Sequence, residues 1–278
     1  MFAGLEEKWV LDPEFQASLV TWRMIHRKNS QFCVFTVHTS NFELPLQHQW
    51  SKPLPYNLAN AFNSIGYCLK HGYDFWRVHL PGQVNLDRAL PWYKLPLISY
   101  LSKLQYDFIF YLDADAFVYR TDFTLPAAIP SFFLDPEKLI FAPVDHPDFS
   151  ILNAGTLLFR SENTTLERLH GLIQEWWDFP QSEYAITASK QGMARCHNTE
   201  FPAEQGCLDG LFKSSSSARY IAVGTEGYTH IRPAFIHHTT SFHSNDHRDS
   251  EANYQAARSF VDLLYSMLFP DCLSESQL

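Results

Sequence analysis

The sequence predicts an α/β fold with a mostly parallel central sheet flanked by helices. Three observations predict it. Strand-sized apolar runs alternate with segments of helical spacing, the pattern that builds parallel sheets. The 278 residues are 46% hydrophobic and 18% charged, enough apolar surface for a sizeable core. No Pro-, Gly- or charge-rich linker separates two halves, so one main domain is expected.

Residues 1–30 give no clear signal beyond a possible short helix and are read as an N-terminal extension. CVFTVHTSN (33–41) is apolar and β-branched and stops at small polar residues, as a buried strand does. Apolar residues at 58, 61, 62, 65 and 69 give a helix, with Gly72 as its C-cap. FWRVHL (75–80) is a second strand. Residues 93–104 are helical by spacing, with Pro96 in the first turn. YDFIFYLDADAFVY (106–119) is a third strand with an acidic end, 139–142 a fourth and 155–159 a fifth.

Thr164-Thr165-Leu166-Glu167 reads as a capping box opening a helix with Trp176 and Trp177 on its apolar face. Residues 181–199 and 214–217 lack periodicity and read as loops. Residues 235–238 form a short late strand, and 252–269 an amphipathic closing helix. The main domain is thus expected over 31–248, with 249–278 packed on it.

The net charge of -9 argues against nucleic acid and anionic membrane as main partners. No stretch approaches the roughly 18 apolar residues that span a bilayer, and the acidic start is no secretory leader. A cytosolic protein, or a soluble fragment of an anchored Golgi-type one, is expected. The five cysteines are odd in number and widely spaced, which points to thiols in a reducing compartment.

The most informative feature is Asp113-Ala114-Asp115. The apolar strand FIFYL delivers two carboxylates where it leaves the core. Their i, i+2 spacing puts both on one side while the chain is extended. Adjacent carboxylates repel, and their desolvation needs a compensating cation. An isolated Asp-x-Asp is most often a solvated turn. At the end of an apolar strand in an α/β pattern, where ligands bind beyond the strand ends, it points to Mg²⁺ or Mn²⁺ and a phosphate-bearing substrate.

WYKLPLISYLSKLQYDFIFYLDADAFVYRTD (92–122) resembles the GT-A-fold glycosyltransferases that use nucleotide sugars. The closest likeness is to the galactosyl/mannosyl/xylosyltransferase family, which includes plant xyloglucan xylosyltransferases and yeast mannan-chain mannosyltransferases. ILNAGTLLFR (151–160), PAEQGCLDGLF (202–212) and FIHHTTSFH (235–243) resemble that family's later landmarks in order. The likeness spans about 33–243.

The resemblance implies a single GT-A domain and transfer of a hexose or pentose to a glycan, glycoprotein or other hydroxyl acceptor. The donor would be a nucleotide-diphospho sugar, UDP or GDP, and the anomeric configuration would be retained. It implies Asp113 and Asp115 as metal ligands, with His238 (or its neighbour His237) as the third. His243 stands where the family has a phosphate-contacting Lys. Asn153 falls near donor and acceptor sugar, and Gln205 and Glu204 beside the reacting sugar carbon. Thr39, Ser40 and Asn41 meet base and ribose, and Lys94 reaches the diphosphate. Ala203 replaces the first of two acids the family often has before its Gln. A metal-dependent nucleotidyltransferase or phosphohydrolase would normally need a Gly-rich phosphate loop, absent here. A non-catalytic carbohydrate-binding relative would not need Asp113, Asp115, His238 and Gln205 together.

Overall fold

The structure is a computed structural model that describes residues 20–25, 30–38, 56–79, 90–144, 152–182, 203–224 and 235–238. The expected closing helix, His243 and residues 39–41 lie outside them. In chain order the elements begin β1 (Val20–Ile25), β2 (Phe32–His38), α1 (Tyr56–His71) and β3 (Asp74–His79). A 3₁₀ turn (Leu90–Tyr93) leads into α2 (Lys94–Ser102), then β4 (Phe108–Leu112) and β5 (Ala116–Val118). Next come α3 (Leu125–Ala128), α4 (Pro130–Leu134), β6 (Ile140–Pro143), β7 (Thr156–Arg160) and α5 (Leu166–Asp178). The last are α6 (Ala203–Ser214), a 3₁₀ turn (Ser216–Tyr220), β8 (Ile221–Gly224) and β9 (Ile236–His238).

Seven strands form one sheet in the order β1-β3-β2-β4-β7-β6-β8. β1 and β7 run against the other five, so the sheet is mostly parallel in strand direction. Its two faces carry separate cores because successive strand side chains alternate. On β4, Ile109 and Tyr111 join one core with Leu95, Ile98, Trp176 and Leu208 from α2, α5 and α6. Phe110 and Leu112 join the other with Tyr67, Cys68 and Leu125 from α1 and α3. β5 and β9 form a separate antiparallel ribbon.

Several elements match their sequence signals. α1 ends at Gly72, whose φ of 76° is the left-handed cap geometry. The Tyr73 N–H reaches back to the Cys68 carbonyl at 2.9 Å to close that cap. Pro96 sits in the first turn of α2, where its missing N–H costs no helical bond. Trp176 is fully buried and Trp177 packs against the same core.

Others differ. A strand, β1, occupies Val20–Ile25, where the sequence offers only a possible short helix. Among the described residues it pairs on one side only, with β3, and an edge strand needs no continuous apolar run to declare it. The expected strand over 106–119 is broken. The Ala116 N–H bonds to the Asp113 carbonyl at 2.9 Å, turning the chain between β4 and β5. Asp113 and Asp115 therefore flank a turn rather than share a strand face. The capping box does not form. The Thr165 hydroxyl instead donates back to the carbonyls of Glu162 (3.0 Å) and Arg160 (3.4 Å). Residues 216–220 form a 3₁₀ turn rather than a loop. Cys33 and Cys68 are buried and in no disulfide, but Cys207 is disulfide-bonded. That removes the argument from wide spacing for a reducing compartment, since pairing requires proximity in space only.

Beneath the end of β2, His38 is buried with its ring 3.3 Å from the Thr36 hydroxyl. Burial, then Arg77 and His79, lower its pKa from 6.5 to about 3. The unfolded chain therefore takes up this proton near pH 6.5, whereas the folded protein resists until about pH 3. Stability is fully present above 6.5 and is lost as the pH falls through that window, by up to roughly 1.4 kcal/mol per pH unit. Urea midpoints of the wild type should fall between pH 6.5 and 5, and His38→Gln should flatten that slope. An equal slope in the variant would show that other groups set it.

Candidate active site

The site is built where β4 leaves the sheet. Its apolar residues are fixed by pairing with β2 and β7, so the chain beyond Leu112 starts from a rigid base. Asp113 is then held by its backbone on both sides. Its N–H donates to the Gly155 carbonyl at 2.7 Å, and its carbonyl accepts from the Asn60 amide at 3.2 Å. Asn60 also reaches the Ala116 carbonyl at 2.5 Å. Asn63, one turn later on α1, makes reciprocal bonds with the Val118 backbone at 2.7 and 3.0 Å. α1 thereby clamps the acidic turn from the sheet side. Asp113, Ala114 and Asp115 are half-buried.

The Tyr111 hydroxyl donates a short hydrogen bond to Asp113 Oδ1. Burial, and after it the Asp113 carboxylate, push the Tyr111 phenol well above its usual range, so it remains a donor. Lys94, at the start of α2, brings a buried ammonium against the same group. Its Nζ lies 3.9 Å from Asp113 Oδ1 and 4.6 Å from the Tyr111 ring centre.

The main partners of that ammonium come from elsewhere. Nζ donates to the Ala154 carbonyl at 2.6 Å and to Glu204 Oε1 at 3.0 Å. Lys94 is 1% exposed and Glu204 6%, so this is a buried ion pair with further hydrogen bonding. Glu204 stands in the first turn of α6, where the helix dipole favours an acid. Trp176 of α5 donates to its backbone carbonyl at 2.9 Å and seats the turn. Gln205 accepts from the Ala154 N–H at 3.3 Å. Asn153 is buried and accepts the Gly155 N–H at 2.8 Å, bending the chain into β7. Residues 153–155 thus join Asp113, Lys94 and Gln205 by main-chain bonds.

Of the residues singled out by sequence, Asp113, Lys94, Glu204, Gln205 and Asn153 meet in one connected cluster. Asp115 closes the same turn. The backbone of His238 pairs with that of Ala116, one position past Asp115, and His237 pairs with Phe117. The side chains of His237 and His238 lie outside the described residues, as do Thr39, Ser40, Asn41 and His243. Among the described residues, no three His, Cys, Asp or Glu side chains gather to hold a metal ion. Lys94 is not the exposed helix lysine its sequence position would ordinarily suggest. Tyr111 and Asn60 carry no signal for a site in the sequence. The i, i+2 relation of Tyr111 to Asp113 along β4 is the one hint.

Over this fold the chain is similar to a solved glycosyltransferase involved in the glycosylation of the major capsid of PBCV-1. The TM-score is 0.51 at 16% identity, over 82% of this chain and 98% of that one. A lower similarity, TM-score 0.47 at 14% identity, covers 90% of this chain and 67% of the glycosyltransferase GlyE of Streptococcus pneumoniae TIGR4. No curated protein matches the chain. Residues 45–142 match the model of the galactosyl transferase GMA12/MNN10 family. The chain is a glycosyltransferase. Over 45–142, the span that holds Lys94, Asp113 and Asp115, it carries the sequence pattern of that family. Among the described residues, no helix is long and apolar enough to cross a membrane.

Proposed function

We propose that this glycosyltransferase moves a hexose or pentose from a UDP-sugar to a hydroxyl of a glycan acceptor, with a Mn²⁺ (or Mg²⁺) ion and with retention of configuration. One observation carries the reading. The Lys94–Glu204 pair draws the first turn of α6 onto the acidic turn after β4. Carboxylates suited to a hard cation thereby adjoin the Glu204-Gln205 pair, at the carboxyl end of parallel strands.

The donor set fits such an ion. Asp113 and Asp115 are half-buried carboxylates on one turn, and the His238 backbone is registered beside it. Oxygen ligands with one imidazole suit Mn²⁺. These three residues would hold the ion, which when bound neutralises negative charge on a departing nucleotide diphosphate. The ammonium of Lys94, held by Glu204 and Ala154 and 3.9 Å from Asp113 Oδ1, would add positive charge on the diphosphate side of the turn. Thr39, Ser40 and Asn41 would contact base and ribose, and His243 the phosphates.

Gln205 would face the reacting sugar carbon. Its amide oxygen accepts from the Ala154 N–H, and an oxygen dipole there stabilises positive charge on the sugar. Glu204 would orient donor hydroxyls from a position set by Lys94. Asn153 would bound the pocket for the transferred sugar.

Calorimetric titration of UDP with and without Mn²⁺ tests the reading. Binding should require the metal, and Asp115→Ala should lose the metal-dependent binding while the protein stays folded. Free UDP should be released from at least one of a panel of UDP-sugars. Equal UDP binding in EDTA would refute the metal assignment. Release of UDP from no sugar, with GDP released instead from a GDP-sugar, would refute the base.

A further inference from the structure

Tyr111 is assigned no role by the preceding reading, yet its hydroxyl donates to Asp113 Oδ1. The phenol is well placed to fix that carboxylate. The residue is 4% exposed, and its ring centre lies 4.9 Å from that of Phe35, tilted against it. Its backbone is paired on both sides, to Phe35 of β2 and Leu157 of β7. Lys94 Nζ approaches the ring and the same Oδ1 from one direction. Asp113 is thus held at its N–H by Gly155, at its carbonyl by Asn60 and Ala116, and at its carboxylate by Tyr111 and the Lys94 ammonium. The first two fix the main chain. Tyr111 supplies a hydrogen bond to the side chain beside the Lys94 charge, and it draws its own position from the middle of the sheet.

We infer that Tyr111 is a positioning residue: through its hydroxyl it sets the orientation of the Asp113 carboxylate toward the divalent cation and so sets the affinity for that cation. The inference rests on the metal reading of Asp113 above. Groups that hydrogen-bond a metal-binding side chain restrict the poses the ligand must give up, and removing such a partner commonly lowers metal affinity by about 10- to 100-fold. Phe at position 111 keeps the ring, its packing on Phe35 and its pairing, and deletes only the donor.

The test is Tyr111→Phe in the full chain, read as the Mn²⁺ concentration needed for half-maximal UDP binding, with circular dichroism in EDTA as the control for folding. The expected result is a requirement for Mn²⁺ raised about tenfold or more, with the dichroism of the wild type. Residual UDP binding in EDTA should be unchanged, since a merely structural role would alter both. If the wild type needs Mn²⁺ and Tyr111→Phe needs the same amount, the positioning role is wrong while the metal reading stands. If the wild type binds UDP equally well in EDTA, the metal reading fails and takes this inference with it. Loss of UDP binding to the same degree with and without metal would show Tyr111 to be structural.

Discussion

Replacing Lys94 with Met should destabilise the protein by about 3–5 kcal/mol, the range observed when one partner of a buried ion pair is removed. Met matches the length and apolar stem of Lys, so the packing of α2 on the sheet changes little. The loss is electrostatic. Glu204, 6% exposed, would keep its carboxylate in a buried site without the cation at 3.0 Å. The Ala154 carbonyl would lose its donor at 2.6 Å. The urea midpoint should fall with an unchanged slope. Adding Glu204→Gln should recover part of the stability, because a neutral amide is cheaper to bury than an unpaired carboxylate. It should not recover transfer activity. A loss below about 1 kcal/mol for Lys94→Met would place this pair among weakly coupled surface contacts. Lys94→Arg is not a mild alternative, since a planar guanidinium does not fit the space of a compact ammonium.

Asp113→Asn should lower turnover on the working UDP-sugar on the order of a hundredfold to a thousandfold, the scale of losing one preorganised electrostatic group at a reacting centre. The substitution is nearly isosteric. The main-chain bonds to Gly155, Ala116 and Asn60 do not involve the side chain, and the amide oxygen still accepts from Tyr111. The turn should therefore keep its shape and melt near the wild-type temperature. What is removed is one negative charge beside the proposed cation. Progress curves at saturating Mn²⁺ measure the effect. Turnover within a few-fold of wild type would mean that the Asp113 charge takes no part in the reaction. Recovery at high Mn²⁺ would assign the charge to metal affinity rather than to the transfer step.

The two variants probe different kinds of design. Asp113 lies at the end of a strand, where a sequence pattern can announce it. Lys94 and Glu204 are 110 positions apart, and their contact joins α2 to α6. The helix start in the sequence around 94 and the acid-Gln pair at 204–205 were each visible, but nothing local showed that they face each other. Locally the lysine reads only as a residue that could reach a diphosphate; the fold adds that its ammonium lies against Glu204, Ala154 and Asp113.

The acidic turn makes the same point at shorter range. Hydrophobicity runs through 106–119 with one interruption, and that pattern cannot distinguish one bent strand from two short ones. The bend is decided by partners distant in sequence: Gly155 on the Asp113 N–H, Asn60 on two carbonyls, and β9 on β5. A single bond between Asp113 and Ala116 then completes it.

By itself the sequence determined the alternation of strands and helices, the apolar faces of the helices, and the delivery of Asp113 and Asp115 to a strand end. Those properties follow from periods of two and 3.6 residues and from the charge of a short segment, all of them local. Only the tertiary structure decided the edge strand β1, the reversed direction of β7, the turn between the two aspartates, and the buried ammonium that ties α6 to them. These depend on which unpaired backbone groups and which buried charges find partners across the fold. Such partners are selected by the need to satisfy polar groups away from water, whatever their separation along the chain.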